Sequence, residues 1–275
     1  MELNLEELFR DISKAVESHN FQEALDKINY IINLVDTNEI EVDTNFLINL
    51  FDTRSFVLTI MGNNQQALLD INRAIEEKNS ISNEKDDQLA KLLIHRGLNY
   101  FYLGDFDSSL NDFNSAIEIL KTSQTDENSI KLSQTFLNRG ALFKKQGLKN
   151  EALEDINRAI SILNKSNNPK QAYALINALI EKGLFLMEEE KFFESAYNFN
   201  IAISKSRELI NNENSKILST HIRLIYYWII TTLASGKNQN STTQMLLEVR
   251  SLISKYGVNE EIKYWLDKIG EIINI

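Results

Sequence analysis

Six residues, Asp-Ile-Asn-Arg-Ala-Ile, occur twice without change, at 70–75 and at 155–160. The alanine of that string belongs to a longer register. Alanine stands at 74, 116, 159 and 202, with steps of 42, 43 and 43 residues. A glycine recurs in the same frame at Gly97, Gly140 and Gly183. A period of this size is the length of a helical hairpin, a unit that cannot bury its apolar face alone and must stack on copies of itself.

One copy shows the design. Residues 137–163 read as two amphipathic helices with a tight turn. Gly140 lies inside the first helix, where glycine costs about 1 kcal/mol relative to alanine. The expected compensation is a second helix crossing there. Gly147 ends the first helix as a left-handed cap. Ala152, Ile156, Ala159 and Ile160 form one face of the second helix, small residues for close approach and large ones to fill the gaps.

The order Gly97, Tyr100, Leu103-Gly104, Phe106, Phe113, Ala116-Ile117 resembles a tetratricopeptide repeat, as does Arg139-Gly140 followed by Ala152 to Ile160. Repeats two to five match well, and the first and last poorly. The family's period is shorter by about nine residues, so each helix is expected to be longer by about a turn. The family's proline after the second helix is mostly missing; Pro169 is near that place. The resemblance implies an all-α, right-handed α-solenoid of about six helix-turn-helix hairpins with a C-terminal capping helix. A single domain over 1–275 is expected, with repeats near 4–35, 42–78, 84–121, 128–164, 170–210 and 215–254 and the cap at 258–273.

A charged pair follows the same register. Arg54, Arg96 and Arg139 are each followed sixteen residues later by Asp70, Asp112 and Asp155. Repeat five carries Lys182 and Asn198 there, and repeat one has the signs exchanged, Asp11 with Lys27. These pairs are expected to brace each hairpin.

Composition narrows the function. The chain has 275 residues, 43% hydrophobic and 25% charged, as in an ordinary globular protein. A net charge of −10 argues against a nucleic-acid partner, which needs a basic stripe. Cysteine is absent and the first ten residues are acidic, so a disulfide framework and a signal peptide are not expected and a cytoplasmic location is. The longest apolar run, Ile222 to Leu233, is short and contains Arg223, so membrane insertion is not expected. His19, His95 and His221 lie far apart, without metal-ligand spacing. No cofactor, metal site or catalytic constellation is expected, and the chain reads as a non-enzyme.

In the family, first helices line a groove that grips a peptide or partner helix. The matching positions are Phe56 in repeat two; His95, Leu98, Phe101 and Tyr102 in three; Asn138, Lys144 and Lys145 in four; Leu184 in five; and Arg223 and Tyr227 in six. The aromatic members are either ligand anchors or core. The expected function is a protein-interaction scaffold for a protein or peptide ligand. A peptide-sensing regulator of quorum-sensing type and a secretion-type chaperone are the alternatives. The regulator type carries an N-terminal effector, whereas the repeat here starts almost at Met1.

Overall fold

A computed structural model describes residues 4–122, 125–165, 168–210, 215–236 and 239–273. The described residues form thirteen α-helices and no strand. In order they are α1 (Leu5–Glu17), α2 (Phe21–Asp36), α3 (Thr44–Ile60), α4 (Asn64–Ile81), α5 (Asp87–Leu103), α6 (Phe106–Leu120), α7 (Asp126–Lys145), α8 (Lys149–Leu163), α9 (Pro169–Glu188), α10 (Phe192–Leu209), α11 (Ser215–Ala234), α12 (Gln239–Tyr256) and α13 (Glu260–Ile273). These bounds reproduce the sequence register as six consecutive helix pairs and one last helix. The chain divides into two compact units, Met1–Leu142 and Phe143–Ile275.

In the first unit α1 packs on α2, α3 on α4 and α5 on α6, while α2 meets α3 and α4 meets α5. Its core runs through Ile28, Ile48, Phe51, Ile71, Ala74, Leu92 and Ala116, all buried. In the second unit α9 packs on α8 and α10, and α11 receives α10, α12 and α13. Helix α11 was not expected to be long enough to cross a membrane. Lys216–Ala234 does have the length and composition, which corrects that reading. About three fifths of the stretch, 61%, is buried, as befits a core helix with three neighbours.

Each hairpin closes through a residue in the left-handed region. His19, Gly62, Gly104, Gly147 and Glu190 all have φ between 55° and 83°. They fall at steps of 43, 42, 43 and 43 residues, so the turn obeys the repeat even where glycine is replaced.

The crossing inside each hairpin is equally regular. A Cβ on Gly97 would stand 2.8 Å from Cε1 of Phe113, and one on Gly183 2.5 Å from Cε1 of Phe199. The close approach expected from the sequence is present at both. A single hydroxyl secures it. Ser109 donates to the carbonyl of Gly97 at 2.8 Å and Ser195 to that of Gly183 at 2.7 Å. In the second repeat the serine changes sides: Ser55 takes the glycine position and donates to the carbonyl of Ala67 at 2.9 Å.

Candidate functional site

Charged braces tie α3 and α5 to the second helices of their hairpins. Arg54 donates to both oxygens of Asp70, at 2.7 and 2.6 Å. Arg96 does the same to Asp112, at 2.8 and 2.7 Å. Both carboxylates are buried, and the hydrogen bonds that Asp112 accepts raise the Arg96 guanidinium above its ordinary range. The third nitrogen reaches back to an asparagine of the preceding second helix: Arg54 to Asn29, Arg96 to Asn72, Arg139 to Asn114. Arg54 and Arg96 therefore each tie three helices, where the sequence reading foresaw two. The expected Arg139–Asp155 pair takes one residue from each unit.

Two expected braces do not form. Lys27 pairs with Glu23 at 2.7 Å and Asp11 with Lys14 at 3.4 Å, each a neighbour on its own helix. A lysine takes the nearest carboxylate, and one turn away is nearer than another helix. Asn198 donates to the carbonyl of Glu194, also on its own helix, at 2.7 Å. Burial without an anion lowers the Lys182 ammonium.

Within the first unit the expected ligand positions fall on α3, α5 and α7. Phe56 and Tyr102 are 39% and 58% exposed. Leu98 is half-buried against the core, and Phe101 turns its ring onto Phe106 of its own hairpin, 6.1 Å between centroids. Asn138 accepts from Gln134 at 3.1 Å on α7.

His95 is more than a surface group. Its Nδ1 lies 2.5 Å from Asp52 Oδ1, and Lys91 reaches Asp52 Oδ2 at 2.7 Å. Asp52 is buried, yet its carboxyl stays below the ordinary range: burial pushes it up, and His95 and Lys91 together more than offset that. The ring of Phe56 sits 5.8 Å from that of His95. Next to this cluster, Asn99 donates to Ser55 at 3.3 Å and accepts from Thr59 at 2.9 Å. Sequence reasoning missed Asp52, Lys91 and Asn99. The available signal was a carboxylate at 52, a histidine one period on at 95 and a lysine one helical turn before that histidine.

In the second unit, Lys144 pairs with Glu188 at 2.6 Å and Lys149 with Glu189 at 2.8 Å. Glu188 and Glu189 are thus neutralised, and Lys145 remains exposed. Leu184 is half-buried. Tyr227 stacks on Phe199, with centroids 5.3 Å apart and planes 19° apart, and Tyr226 and Trp265 also border it. Arg223 is half-buried, and its Nε is enclosed with no acceptor.

A hydroxyl, an imidazole and a carboxylate also meet in this unit. Ser206 lies 2.7 Å from His221 Nδ1, and His221 Nε2 lies 3.1 Å from Glu248. The order of the ring nitrogens is the reverse of a hydrolytic triad, in which Nε2 serves the serine. Ser206 is fully buried and also donates to the carbonyl of Ile203, so a substrate cannot reach it. The cluster joins α10, α11 and α12, with Arg207 gripping Glu248 through two bonds of 2.6 Å. These contacts hold the Glu248 carboxyl down at about 2 against the pull of burial. Among the described residues, no group of three acidic, histidine or cysteine side chains could hold a metal ion.

No family model matches the chain. No curated protein matches it either. Solved structures do. BtubC (BKLC) from P. vanneervenii aligns with 92% of this chain and 94% of its own, at a TM-score of 0.63 and 12% identity. The nearly identical TPR-like repeats of a Podosopora anserina kinesin light chain align with 78% of this chain and 98% of their own, at 0.58 and 12%. A Rap protein complexed with Competence and Sporulation Factor aligns with 97% of this chain and 70% of its own, at 0.65 and 14%. The fold is that of tetratricopeptide repeats. Identities this low establish architecture alone. Within a tetratricopeptide-like stack, first helices meet one another along one face, and both Asp52–His95 and Asp87–Asn128, the latter at 2.8 Å, are such contacts.

Proposed function

We propose that this chain is a non-catalytic scaffold that binds a peptide or a segment of a partner protein on the face formed by its first helices. The observation that carries this is the exposure of Phe56 and Tyr102 on α3 and α5, with the Phe56 ring 5.8 Å from His95 of a cluster that is already internally satisfied. Exposed aromatics on a rigid support are the usual anchors of an interface, and the surrounding charges set orientation more than affinity. The ligand would be bound in extended form, with apolar side chains on the aromatics.

A peptide-sensing regulator is the second reading. The likeness to a Rap protein solved with Competence and Sporulation Factor favours it, at the level of fold.

A peptide array tests the first reading, followed by titration of the peptides retained. Phe56→Ala and Tyr102→Ala are expected to weaken binding at least about tenfold at an unchanged melting temperature. Wild-type affinity in both variants would overturn this placement of the site.

A further inference from the structure

Repeat five keeps the places of the brace and loses its anion. Lys182 of α9 stands where Arg54, Arg96 and Arg139 stand, and Asn198 of α10 where Asp70, Asp112 and Asp155 stand. Asn157 of α8 takes the place of Asn29, Asn72 and Asn114, the third member. The three places thus hold one cation and two amides. Asn198 is buried and spends its donor on the carbonyl of Glu194, on its own helix. Among the described residues, Lys182 has neither an ion pair nor a hydrogen bond. It is half-buried, and its Nζ still reaches solvent. Lys27 and Lys268 are half-buried too, but each has a carboxylate one turn away, Glu23 and Glu271, which raises its ammonium. Burial alone acts on Lys182 and lowers it.

We infer that Lys182 is an acylation site, a nucleophilic amine that takes a small acyl group from a thioester. Only the uncharged nitrogen has a lone pair to give, so an ammonium kept half-buried without an anion is the one readiest to react. The nitrogen attacks the thioester carbonyl. A C–N bond forms, the C–S bond breaks, and the leaving thiolate takes the proton that nitrogen sheds. The product is a neutral amide, and burying an amide costs far less than burying an unpaired ammonium. The product therefore suits the site better than the free lysine does. This inference needs no ligand on the first-helix face and stands apart from the proposed function.

Wild-type protein is acetylated at neutral pH with a limiting amount of S-acetyl-N-acetylcysteamine. It is then unfolded and saturated with a deuterated acetylating reagent, so that peptide mass spectrometry gives the extent of reaction at each lysine. Lys182 is expected to react at least about fivefold faster than Lys27 and Lys268, a ratio that a pKa difference of less than one unit supplies. Asn198→Asp returns the carboxylate of the other repeats and is expected to slow Lys182 at least about fivefold, whereas Asn198→Ala leaves it as in wild type. Melting temperatures serve as folding controls, and the ranking in wild-type protein decides alone if a variant does not fold. A Lys182 no faster than Lys27 and Lys268 overturns the inference. So does a rate that Asn198→Asp leaves unchanged, or one that falls equally in both variants.

Discussion

Phe113 occupies the space that a side chain on Gly97 would need. Its Cε1 is 2.8 Å and its Cδ1 3.0 Å from the position of a Cβ there. The glycine sits inside α5, where its backbone freedom is only a cost, so room for the ring is its physical reason. Gly97→Ala is expected to destabilise by about 1–3 kcal/mol, the range for overpacking a tight core. Phe113→Leu in the same chain should recover part of the loss. Urea unfolding of both variants checks this, and a double variant no better than the alanine alone would contradict it.

Removing one half of a brace costs more than removing its accessory. Asp112→Ala leaves Arg96 without its bidentate partner and is expected to cost about 3 kcal/mol, the low end for a broken buried pair. Arg96 is 23% exposed, so water softens the loss. Asn72→Ala should cost about 1 kcal/mol, a single hydrogen bond. Thermal and urea melts should rank the two in that order.

The turn at Glu190 is open to improvement. Its φ of 56° is a strain for any residue with a side chain, and its register mates Gly62, Gly104 and Gly147 avoid it. Glu190→Gly is expected to raise stability by about 0.5–1 kcal/mol, the relief of left-handed strain less glycine's greater unfolded entropy. Gly147→Ala should lower it by about 1 kcal/mol or more. A decrease in both would show that Glu190 makes a contact worth more than its strain.

Stability should fall in acid through Glu248. Its folded pKa, about 2, lies below its ordinary value of 4.5. A carboxylate lowered in this way adds stability that is complete above about pH 4.5 and is lost as pH drops toward 2. Discounted for solvent screening, the contribution is about 1–2 kcal/mol. Both tryptophans, Trp228 on α11 and Trp265 on α13, belong to this unit, so tryptophan fluorescence during urea unfolding reports on it. Glu248→Gln should flatten the dependence between pH 2 and 4.5. An unchanged slope would assign the acid sensitivity to other groups.

Much of the fold was legible in the chain. The steps between Ala74, Ala116, Ala159 and Ala202 gave away the hairpin, and the left-handed turn followed the same count through His19 and Glu190. The Arg54–Asp70 and Arg96–Asp112 braces were legible too, because both partners belong to one hairpin and repeat together. Asp11 and Lys27 show the limit of that logic. They occupy the right places, yet Lys14 and Glu23 lie one turn away and win.

Of the ligand positions, the sequence singled out Phe56 and Tyr102, which are exposed, alongside Phe101 and Tyr227, which are occupied with Phe106 and Phe199. Periodicity places all four on first helices and is blind to how far each ring is covered.

Periodicity, turn chemistry and pairings inside one hairpin were written in the linear order, since they depend on residues within a single repeat. The Asp52–Lys91–His95 cluster, the asparagines that complete each arginine, and the unanswered Nε of Arg223 were settled by stacking. The reason is electrostatic. A buried charge takes its partner from whichever helix lies against it, and that neighbour is a repeat away along the chain.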